Sequence, residues 1–274
     1  MIIMTRKEMD NAGPTLIKQV YVKSILTRSR IPGVDYSLNP YVGCEFGCLY
    51  CYADIMAKHT LHRERWGKFV DIKVNAPFLL DKELEKNKPG IVILSSATDP
   101  YQLVEKRYQL TRKCLEILIK YNERYSVSIL TRSPLVLRDV DLFREFSDIK
   151  VGLSITTDNE RIRRLFEPGT HSSLSRIATL KRLKSMGIKT YAFIGPMLPM
   201  DAKNLAHMLS GSVDSVYLDR LNYPKKVSKL YHKHHLKHFL DEAYFRKVLE
   251  TFTHFFHKEG TLTTFANKSN NTIH

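Results

Sequence analysis

Residues 44–51 read Cys44-Glu45-Phe46-Gly47-Cys48-Leu49-Tyr50-Cys51, and this run holds three of the four cysteines in the 274-residue chain. The C-x3-C-x2-C spacing offers three thiolates, the usual ligands of iron–sulfur clusters. A four-iron cluster held in this way keeps one iron open for a cofactor or substrate. The alternative is structural zinc, which needs a fourth Cys or His at ligand spacing. The next nearby histidine, His59, lies beyond the loop on a predicted helix, so the sequence favours a [4Fe-4S] cluster.

The chain carries a large excess of positive charge. It has 43 Lys and Arg against 28 Asp and Glu, a formal net charge of +15. Such an excess favours polyanionic partners through counterion release, and nucleic acid is the first candidate. Between Arg220 and His238 there are six Lys or Arg, four His and no acidic residue. This stretch is either a solvated surface or a phosphate-binding arm, and a generally basic composition is the alternative explanation of the net charge.

The sequence predicts no membrane segment. A bilayer-spanning helix needs about 20 predominantly apolar residues, and no stretch approaches that length. Residues 1–10 carry charges where a signal peptide would have its apolar core. Cysteines grouped at ligand spacing favour a reducing compartment over a disulfide framework. We therefore expect a cytoplasmic protein that does not act at a membrane.

After the cysteine loop, short apolar runs alternate with amphipathic helical patterns. Strands are predicted over 91–95, 126–131, 150–155, 189–194 and 213–218, with a further possible strand over 21–26. Helices are predicted over 106–121, 140–146, 159–166, 173–186 and 202–210. This alternation indicates right-handed crossovers and a parallel sheet. The predicted fold class is α/β, an incomplete (β/α)6 barrel with N- and C-terminal extensions.

The predicted organisation has three parts. Residues 1–33 form an N-terminal extension, residues 34–220 the partial barrel, and residues 221–274 a basic C-terminal extension with a helix and a disordered tail from Asn267. Active sites of such barrels lie at the carboxyl ends of the strands. Polar residues that directly follow each apolar run are therefore the site candidates.

Six motifs occur in the order found in a known family. They are N-P-Y-V-G-C (39–44) with Cys48, Cys51 and Tyr52; S-S-A-T-D-P (95–100); L-T-R-S (130–133); L-S-I (153–155); F-E-P-G-T (166–170); and F-I-G-P (193–196). Together with the cysteine spacing, they resemble the radical S-adenosylmethionine (SAM) proteins similar to spore photoproduct lyase, often labelled DNA-repair photolyase-like. The resemblance covers roughly residues 35 to 220.

The resemblance implies an enzyme and its cofactors. Cys44, Cys48 and Cys51 would bind the [4Fe-4S] cluster, and the amino and carboxylate groups of SAM would bind its open iron. One electron would cleave SAM to methionine and a 5′-deoxyadenosyl radical, which abstracts hydrogen from the substrate. A protein electron donor such as flavodoxin or ferredoxin would supply that electron. The oligomeric state does not follow from the sequence.

Further site residues follow from the same resemblance. The SAM contacts would be Tyr50 and Gly195 at the adenine, Thr98 and Asp99 at the amino group, Arg132 at the carboxylate and Ser154 at the methionine end. Arg132 stands where the family has a lysine, and a guanidinium forks onto a carboxylate as an ammonium does not.

Simpler explanations stand beside these roles. Asp99 is also a candidate helix N-cap before Pro100, Arg132 a surface side chain, and Gly195 a β-bulge residue. The F-E-P-G-T motif keeps no assigned role, because Pro-Gly after an acidic residue is ordinary turn chemistry.

Hydrogen transfer is where the chain departs from its family. Ser96 aligns with the cysteine that donates hydrogen in spore photoproduct lyase, and a serine O–H bond is too strong for that role, which argues against lesion reversal. Cys114 lies on the apolar stripe of a predicted helix, where cysteine behaves as a small hydrophobe. Tyr52 matches a tyrosine of the family's hydrogen-transfer chain, and packing around the cluster is its alternative role.

The basic stretch is the candidate nucleic-acid surface. Its lysines are Lys225, Lys226, Lys229, Lys233 and Lys237. Aromatic residues interleave with them as stacking on bases requires, although core packing is their commoner use: Tyr217, Tyr223, Tyr231 and Phe239. His234 and His238, at i, i+4 on a predicted helix, offer a metal site as the alternative, but the stretch has no carboxylate or cysteine to complete it.

Two classes of function remain open. The first is a radical SAM enzyme that acts on nucleic acid, in DNA repair or RNA modification. The second is a radical SAM enzyme that acts on a peptide, protein or small metabolite, with the positive charge incidental. A basic iron–sulfur protein without enzymatic activity is a third and more distant class.

Overall fold

The computed structural model describes residues 6–8 and 15–265. The chain forms two compact units: the first contains Met1–Gly47 and Cys51–Lys150, and the second contains Cys48–Tyr50 and Val151–His274. The predicted disordered tail from Asn267 lies outside the described residues.

The first unit contains eight strands in its described part. They are β1 (Arg6–Glu8), β2 (Thr15–Val20), β3 (Leu26–Arg28), β4 (Tyr36–Leu38), β5 (Tyr41–Val42), β6 (Phe69–Lys73), β7 (Gly90–Leu94) and β8 (Tyr125–Thr131). β8, β7, β4 and β3 are neighbours in that order, with β7 parallel to both β8 and β4 and with β3 antiparallel at the edge. A smaller sheet has the order β1-β2-β6-β5.

Short helices connect these strands. They are α1 (Ala76–Lys86), α2 (Glu105–Tyr108), α3 (Leu110–Ile119) and α4 (Val140–Phe143), with 3-10 helices over Tyr52–His59 and Pro134–Asp139. Leu80 and Leu84 of α1 and Leu115 and Leu118 of α3 are fully buried, and the two helices pack on each other. Cys114, on the same stripe of α3, is fully buried as the sequence predicts, and burial raises the pKa of its thiol.

In the second unit, β9 (Ile149–Ser154, from Val151 on), β10 (Lys189–Ile194), β11 (Ser215–Leu218) and β12 (Leu262–Phe265) lie side by side. β11 pairs in parallel with both β10 and β12. The helices are α5 (Glu160–Phe166), α6 (Ser173–Ser185), α7 (Ala202–Leu209), α8 (Ser228–Lys233) and α9 (Glu242–Lys258), with short 3-10 turns over Pro224–Lys226 and Lys237–Leu240. Asn159, Ser172 and Asp201 cap α5, α6 and α7 with their side chains, which fixes where each helix begins.

The α/β class and the mostly parallel strand pairing are therefore confirmed. In neither unit do the described strands close into a barrel, because β3 is an edge strand in the first unit and β12 is an edge strand in the second. Strand β12 is not predicted by the sequence pattern, which assigns only a helix and a tail to this region.

The strand predicted over 21–26 is wrong. Side chains from α1 and the residue before it bind this backbone in place of a neighbouring strand. The Asn75 amide accepts from Val22 N at 3.1 Å and donates to Val22 O at 2.8 Å. The Glu83 carboxylate accepts from Ile25 N at 3.0 Å and from Leu26 N at 2.7 Å.

The single helix predicted over 106–121 is also wrong. Gln109 adopts a left-handed conformation with φ of +50° and separates α2 from α3. The buried Glu105 carboxylate accepts from Thr111 N at 3.0 Å and Arg112 N at 3.3 Å. These N–H groups lie in the first turn of α3 and have no acceptor within that helix. The Glu105 carboxylate of α2 therefore caps the start of α3.

A glycine in β9 allows a close approach to β10. A Cβ on Gly152 would lie 2.2 Å from the ring of Tyr191. Tyr191 is buried and packs edge-on against Tyr217 of β11, with ring centroids 5.3 Å apart. The missing side chain at Gly152 therefore sets the packing of the strand that ends at Ser154.

We predict that Gly152→Ala lowers the free energy of unfolding by about 1–3 kcal/mol, the usual cost of overpacking. Denaturant unfolding measures this change. In a Tyr191→Val background the same substitution costs less, because the ring that the methyl group meets is gone. Equal costs in the two backgrounds would contradict this explanation.

Candidate functional site

Polar side chains from the segment after β7 hold the first part of the cysteine loop. Gly43 O accepts from Thr98 Oγ1 at 2.5 Å and from Gln102 Nε2 at 3.3 Å. Gln102 Oε1 accepts from Glu45 N at 2.9 Å, and the Gln102 side chain is fully buried. The backbone is thus fixed on both sides of Cys44. The role of Gln102 is not predicted by the sequence, because nothing local marks a glutamine that binds 57 residues away.

Glycine is required where the loop begins. Gly43 has φ of +85°, and a Cβ there would lie 2.2 Å from Phe69 O. Gly47 (φ +54°) and Gly67 (φ +93°) also approach closely, since a Cβ on Gly67 would lie 2.9 Å from the Gly47 Cα. These positive φ angles and short approaches leave no space for a side chain.

Asp99 links the ends of β7 and β8. Its Oδ1 accepts from Thr131 Oγ1 at 2.6 Å and from Tyr101 N at 2.9 Å, and its Oδ2 accepts from Arg132 N at 2.7 Å. Burial raises the pKa of Asp99, and these hydrogen bonds together with the Arg132 charge lower it in part. The bond to Tyr101 N closes a turn, since α2 begins only at Glu105. Thr98, Asp99 and Arg132 are therefore brought together at the strand ends.

Tyr52 and Ser96, two of the residues considered for hydrogen transfer, are in contact. The Tyr52 hydroxyl donates a hydrogen bond to Ser96 O, and about half of the Tyr52 side chain is exposed. The Asn39 side chain accepts from Ala97 N at 3.0 Å and donates to Ser96 Oγ at 3.4 Å. Asn39, the first residue of the N-P-Y-V-G-C motif, thus positions the S-S-A-T-D-P segment.

In the second unit, the F-E-P-G-T motif holds residues Cys48–Tyr50. Leu49 N donates to Phe166 O at 2.9 Å, and the Tyr50 hydroxyl donates to Glu167 Oε1. The other Glu167 oxygen accepts from Arg176 Nη2 at 2.7 Å, and both of these side chains are fully buried. The motif left unassigned from the sequence therefore supports the segment that contains Cys48 and Tyr50.

Ser154 and Gly195 lie at the carboxyl ends of β9 and β10. The Ser154 hydroxyl is fully buried and has no hydrogen-bond partner within the described part of the chain. A Cβ on Gly195 would lie 2.3 Å from the ring of Phe193. The close approach at this glycine is therefore one with a neighbouring side chain of the same strand.

The three loop cysteines are shielded from solvent to different degrees. Cys44 and Cys48 are buried and Cys51 is half-buried. Across residues 6–8 and 15–265, no group of three or more His, Cys, Asp or Glu side chains is arranged for a single metal ion. Each thiolate of an iron–sulfur cluster binds a different iron, so cluster ligands are spread apart rather than convergent.

The basic stretch contains the short helix α8 between two 3-10 turns. All five lysines are exposed: Lys225, Lys226, Lys229, Lys233 and Lys237. α8 ends at Lys233, and His235 has φ of +58°, so His234 and His238 do not share a helix and that part of the prediction is wrong. Tyr223 is exposed, whereas Tyr231 is fully buried with its ring centroid 5.0 Å from that of Phe166.

Comparison with known proteins identifies the family. The family model for the radical SAM superfamily matches residues 38–210. An uncharacterized protein of Methanocaldococcus jannaschii is 37% identical over 230 residues, which are 83% of this chain and 85% of that protein. The chain belongs to the radical SAM superfamily.

Solved structures share the fold at low sequence identity. A spore photoproduct lyase complexed with dinucleoside spore photoproduct aligns with a TM-score of 0.65 and 14% identity, over 92% of this chain and 82% of that one. SuiB of Streptococcus suis, bound to S-adenosylmethionine, aligns with a TM-score of 0.58 and 15% identity, over 86% and 50% of the two chains. At these identities the likeness concerns the fold.

Family membership makes the chain a radical SAM enzyme with a [4Fe-4S] cluster and SAM as cofactors. The residues present fit both groups. Cys44, Cys48 and Cys51 are soft thiolate donors of the kind that such clusters require. The buried hydroxyl of Ser154, which has no partner among the described residues, is suited to a polar ligand atom. The individual SAM contacts remain predictions, as do the cluster ligands.

No helix among the described residues is both long enough and apolar enough to cross a membrane.

We predict that Cys44→Ala, Cys48→Ala and Cys51→Ala each abolish reductive SAM cleavage by the anaerobically reconstituted protein. The parent should hold roughly four irons per chain, the content of one [4Fe-4S] cluster. Cys114→Ala is the matched control, because this buried thiol lies on the apolar stripe of α3. Iron analysis and SAM cleavage assays measure both effects. Full cleavage by Cys44→Ala, or twice the expected iron in the parent, would contradict the assignment.

Proposed function

We propose that this radical SAM enzyme acts on nucleic acid, either in DNA repair or in RNA modification. The observation that carries the proposal is the basic stretch from Arg220 to His238. It has no acidic residue, and its five lysines are all exposed. Exposed lysines that neutralise phosphates release counterions, which favours binding to any nucleic acid.

The neighbouring contacts support this use of the lysines. Arg220, at the start of the stretch, pairs with Glu242 at 3.4 Å and lies over the ring of Phe245 at 4.3 Å. Its side chain is therefore engaged with α9. Tyr223 is exposed, with Lys226 Nζ 6.0 Å from its ring centroid. An aromatic ring beside a cation is suited to stack on a base while the cation meets a phosphate.

The buried Tyr231 gives the stretch a fixed anchor. Its ring packs on Phe166 in the interior of the second unit. Lys229 and Lys233, at two positions before and after Tyr231, are exposed. A phosphate-binding surface binds more tightly when its backbone is held than when it is a free tail, because less conformational entropy is lost on binding.

The structural neighbours allow both substrate classes. The spore photoproduct lyase of similar fold was solved with a dinucleoside lesion, which is consistent with a nucleic-acid substrate. SuiB was also solved bound to its precursor peptide, with a TM-score of 0.59 and 16% identity to this chain. A peptide substrate is therefore the second candidate. The net charge of +15 favours the polyanion.

The chain's own residues have distinct tasks in this proposal. The loop cysteines hold the cluster, and Thr98, Asp99, Arg132 and Ser154 orient SAM. With both groups bound, SAM cleavage supplies a 5′-deoxyadenosyl radical that removes a hydrogen atom from the substrate. The lysines hold the substrate backbone, and a reduced flavodoxin or ferredoxin is the proposed electron donor. Ser96, in place of a thiol, separates this reaction from the lesion reversal of spore photoproduct lyase.

We predict that changing Lys225, Lys226, Lys229, Lys233 and Lys237 together to Gln weakens binding to DNA and RNA across sequences. The log–log salt slope should fall by about 0.7–0.9 per lost phosphate contact. The control changes five exposed lysines elsewhere, so that both variants lose the same charge: Lys86, Lys88, Lys106, Lys120 and Lys203. Filter binding across a salt titration measures both, and SAM cleavage without substrate should persist in both.

Parental affinity and salt slope in the first variant would favour the peptide or metabolite class. Equal losses in both variants would assign the binding to net charge rather than to this stretch. Anaerobic incubation of the parent with SAM, reductant and total cellular nucleic acid, followed by nucleoside mass spectrometry, then identifies the product.

A further inference from the structure

Glu167 lies at the centre of a buried polar network in the second unit. Its Oε1 accepts from the Tyr50 hydroxyl and from Thr156 Oγ1 at 2.9 Å. Its Oε2 accepts from Arg176 Nη2 at 2.7 Å and from Thr170 Oγ1 at 3.3 Å. Glu167 and Arg176 are both fully buried. Four donors therefore surround a carboxylate that water does not reach.

Arg176 extends the network to the end of β9. Its Nη1 donates to Ser154 O at 2.7 Å, while its Nη2 binds Glu167. The residue whose buried hydroxyl has no partner in the described chain is thus held through its own carbonyl. One ion pair fixes both Ser154 and Tyr50.

The backbone around Glu167 is also held. Glu167 O accepts from Arg163 Nη1 at 3.0 Å, and Phe166 O accepts from Leu49 N at 2.9 Å. The segment Cys48–Tyr50 is therefore joined to the F-E-P-G-T motif by one backbone bond and one side-chain bond. A turn that served only to reverse the chain would need neither contact.

A buried ion pair is a costly way to obtain stability alone. Removing two charges from water costs several kcal/mol per ion, and apolar residues of similar volume often serve as well. Such a pair does fix side-chain geometry, because a planar guanidinium and a carboxylate constrain each other's orientation. The Glu167–Arg176 pair uses this property on two residues, Tyr50 and Ser154, that the family resemblance places at SAM.

We propose that Glu167 is a positioning residue for SAM binding. Through the Tyr50 hydroxyl it orients the tyrosine beside Cys48, and through Arg176 it fixes the carbonyl of Ser154. The inference rests on membership of the radical SAM superfamily and does not depend on the nature of the substrate. In this proposal Glu167 acts through Tyr50 and Arg176 and is therefore not a catalytic residue.

Two variants test the proposal. Glu167→Gln keeps the shape but replaces one acceptor oxygen with a donor group, which opposes the donors that face it. Tyr50→Phe keeps the aromatic ring and leaves the Glu167–Arg176 ion pair intact. It removes only the hydrogen bond from the Tyr50 hydroxyl to Glu167. Thr190→Val is the matched control in the same unit, because it removes the buried hydrogen bond from Thr190 Oγ1 to Ser212 O at 2.9 Å and touches neither Tyr50 nor Ser154.

Each variant is reconstituted anaerobically, and four quantities are measured: iron content, the dissociation constant of SAM by equilibrium dialysis, the electron paramagnetic resonance spectrum of the reduced cluster with and without SAM, and the free energy of unfolding. We expect Tyr50→Phe and Glu167→Gln to weaken SAM binding about tenfold or more, equivalent to about 1.4 kcal/mol. We also expect them to reduce the spectral change on SAM addition. The variant that combines Tyr50→Phe and Glu167→Gln should bind SAM no more weakly than Glu167→Gln alone, because the two residues act as one unit.

Thr190→Val should lose stability and keep parental SAM affinity. Parental SAM affinity in Tyr50→Phe would overturn the proposal. A loss of SAM affinity in Thr190→Val as large as that in Tyr50→Phe would also overturn it, because the effect would then follow from lost stability alone. If Glu167→Gln does not fold, Tyr50→Phe decides the question alone, since it leaves the ion pair intact. None of these measurements includes nucleic acid, so failure here and failure of the proposed substrate class are distinguishable.

Discussion

The backbone of the cysteine loop is the constraint on which the site depends. Three thiolates within eight residues hold a cluster only if the chain between them keeps one conformation. In the first unit, the buried Gln102 amide and Thr98 hydroxyl fix the carbonyl of Gly43 and the backbone at Glu45. In the second unit, Phe166 and Glu167 bind Leu49 and Tyr50. These anchors are polar groups that lie far away in sequence, so local sequence alone does not determine the conformation of the loop.

Local patterns predicted the fold class and most elements. The strand over Lys189–Ile194 has the predicted bounds, because a continuous apolar run between polar residues is a complete local signal. The helices over Glu160–Phe166 and Ser173–Ser185 begin beside Asn159 and Ser172, whose side chains cap them. The C-x3-C-x2-C spacing, from which the iron–sulfur cluster is predicted, also lies within eight consecutive residues. Where three or four neighbouring residues determine the outcome, the sequence is sufficient.

Distant contacts account for what the sequence did not predict. A helix pattern continues through Gln109, but the Glu105 carboxylate begins a new helix there. The 21–26 stretch has strand-like composition, yet the side chains of Asn75 and Glu83 occupy its backbone groups. Strand β12 is short and forms only beside β11. The role of Glu167 was not predicted for the same reason, because its partners Tyr50 and Arg176 lie outside the F-E-P-G-T motif.

The contact between Tyr52 and Ser96 bears on how easily this site exchanges one chemistry for another. The tyrosine hydroxyl binds the carbonyl of Ser96, a group that every residue type possesses. The identity of the side chain at this position is therefore independent of the contact. A change of one atom, oxygen to sulfur in Ser96→Cys, introduces a thiol next to Tyr52 while the backbone contact persists. Serine and cysteine forms of this scaffold are thus separated by a single substitution, which keeps the backbone contact with Tyr52 and changes only the acceptor that Asn39 meets at this side chain.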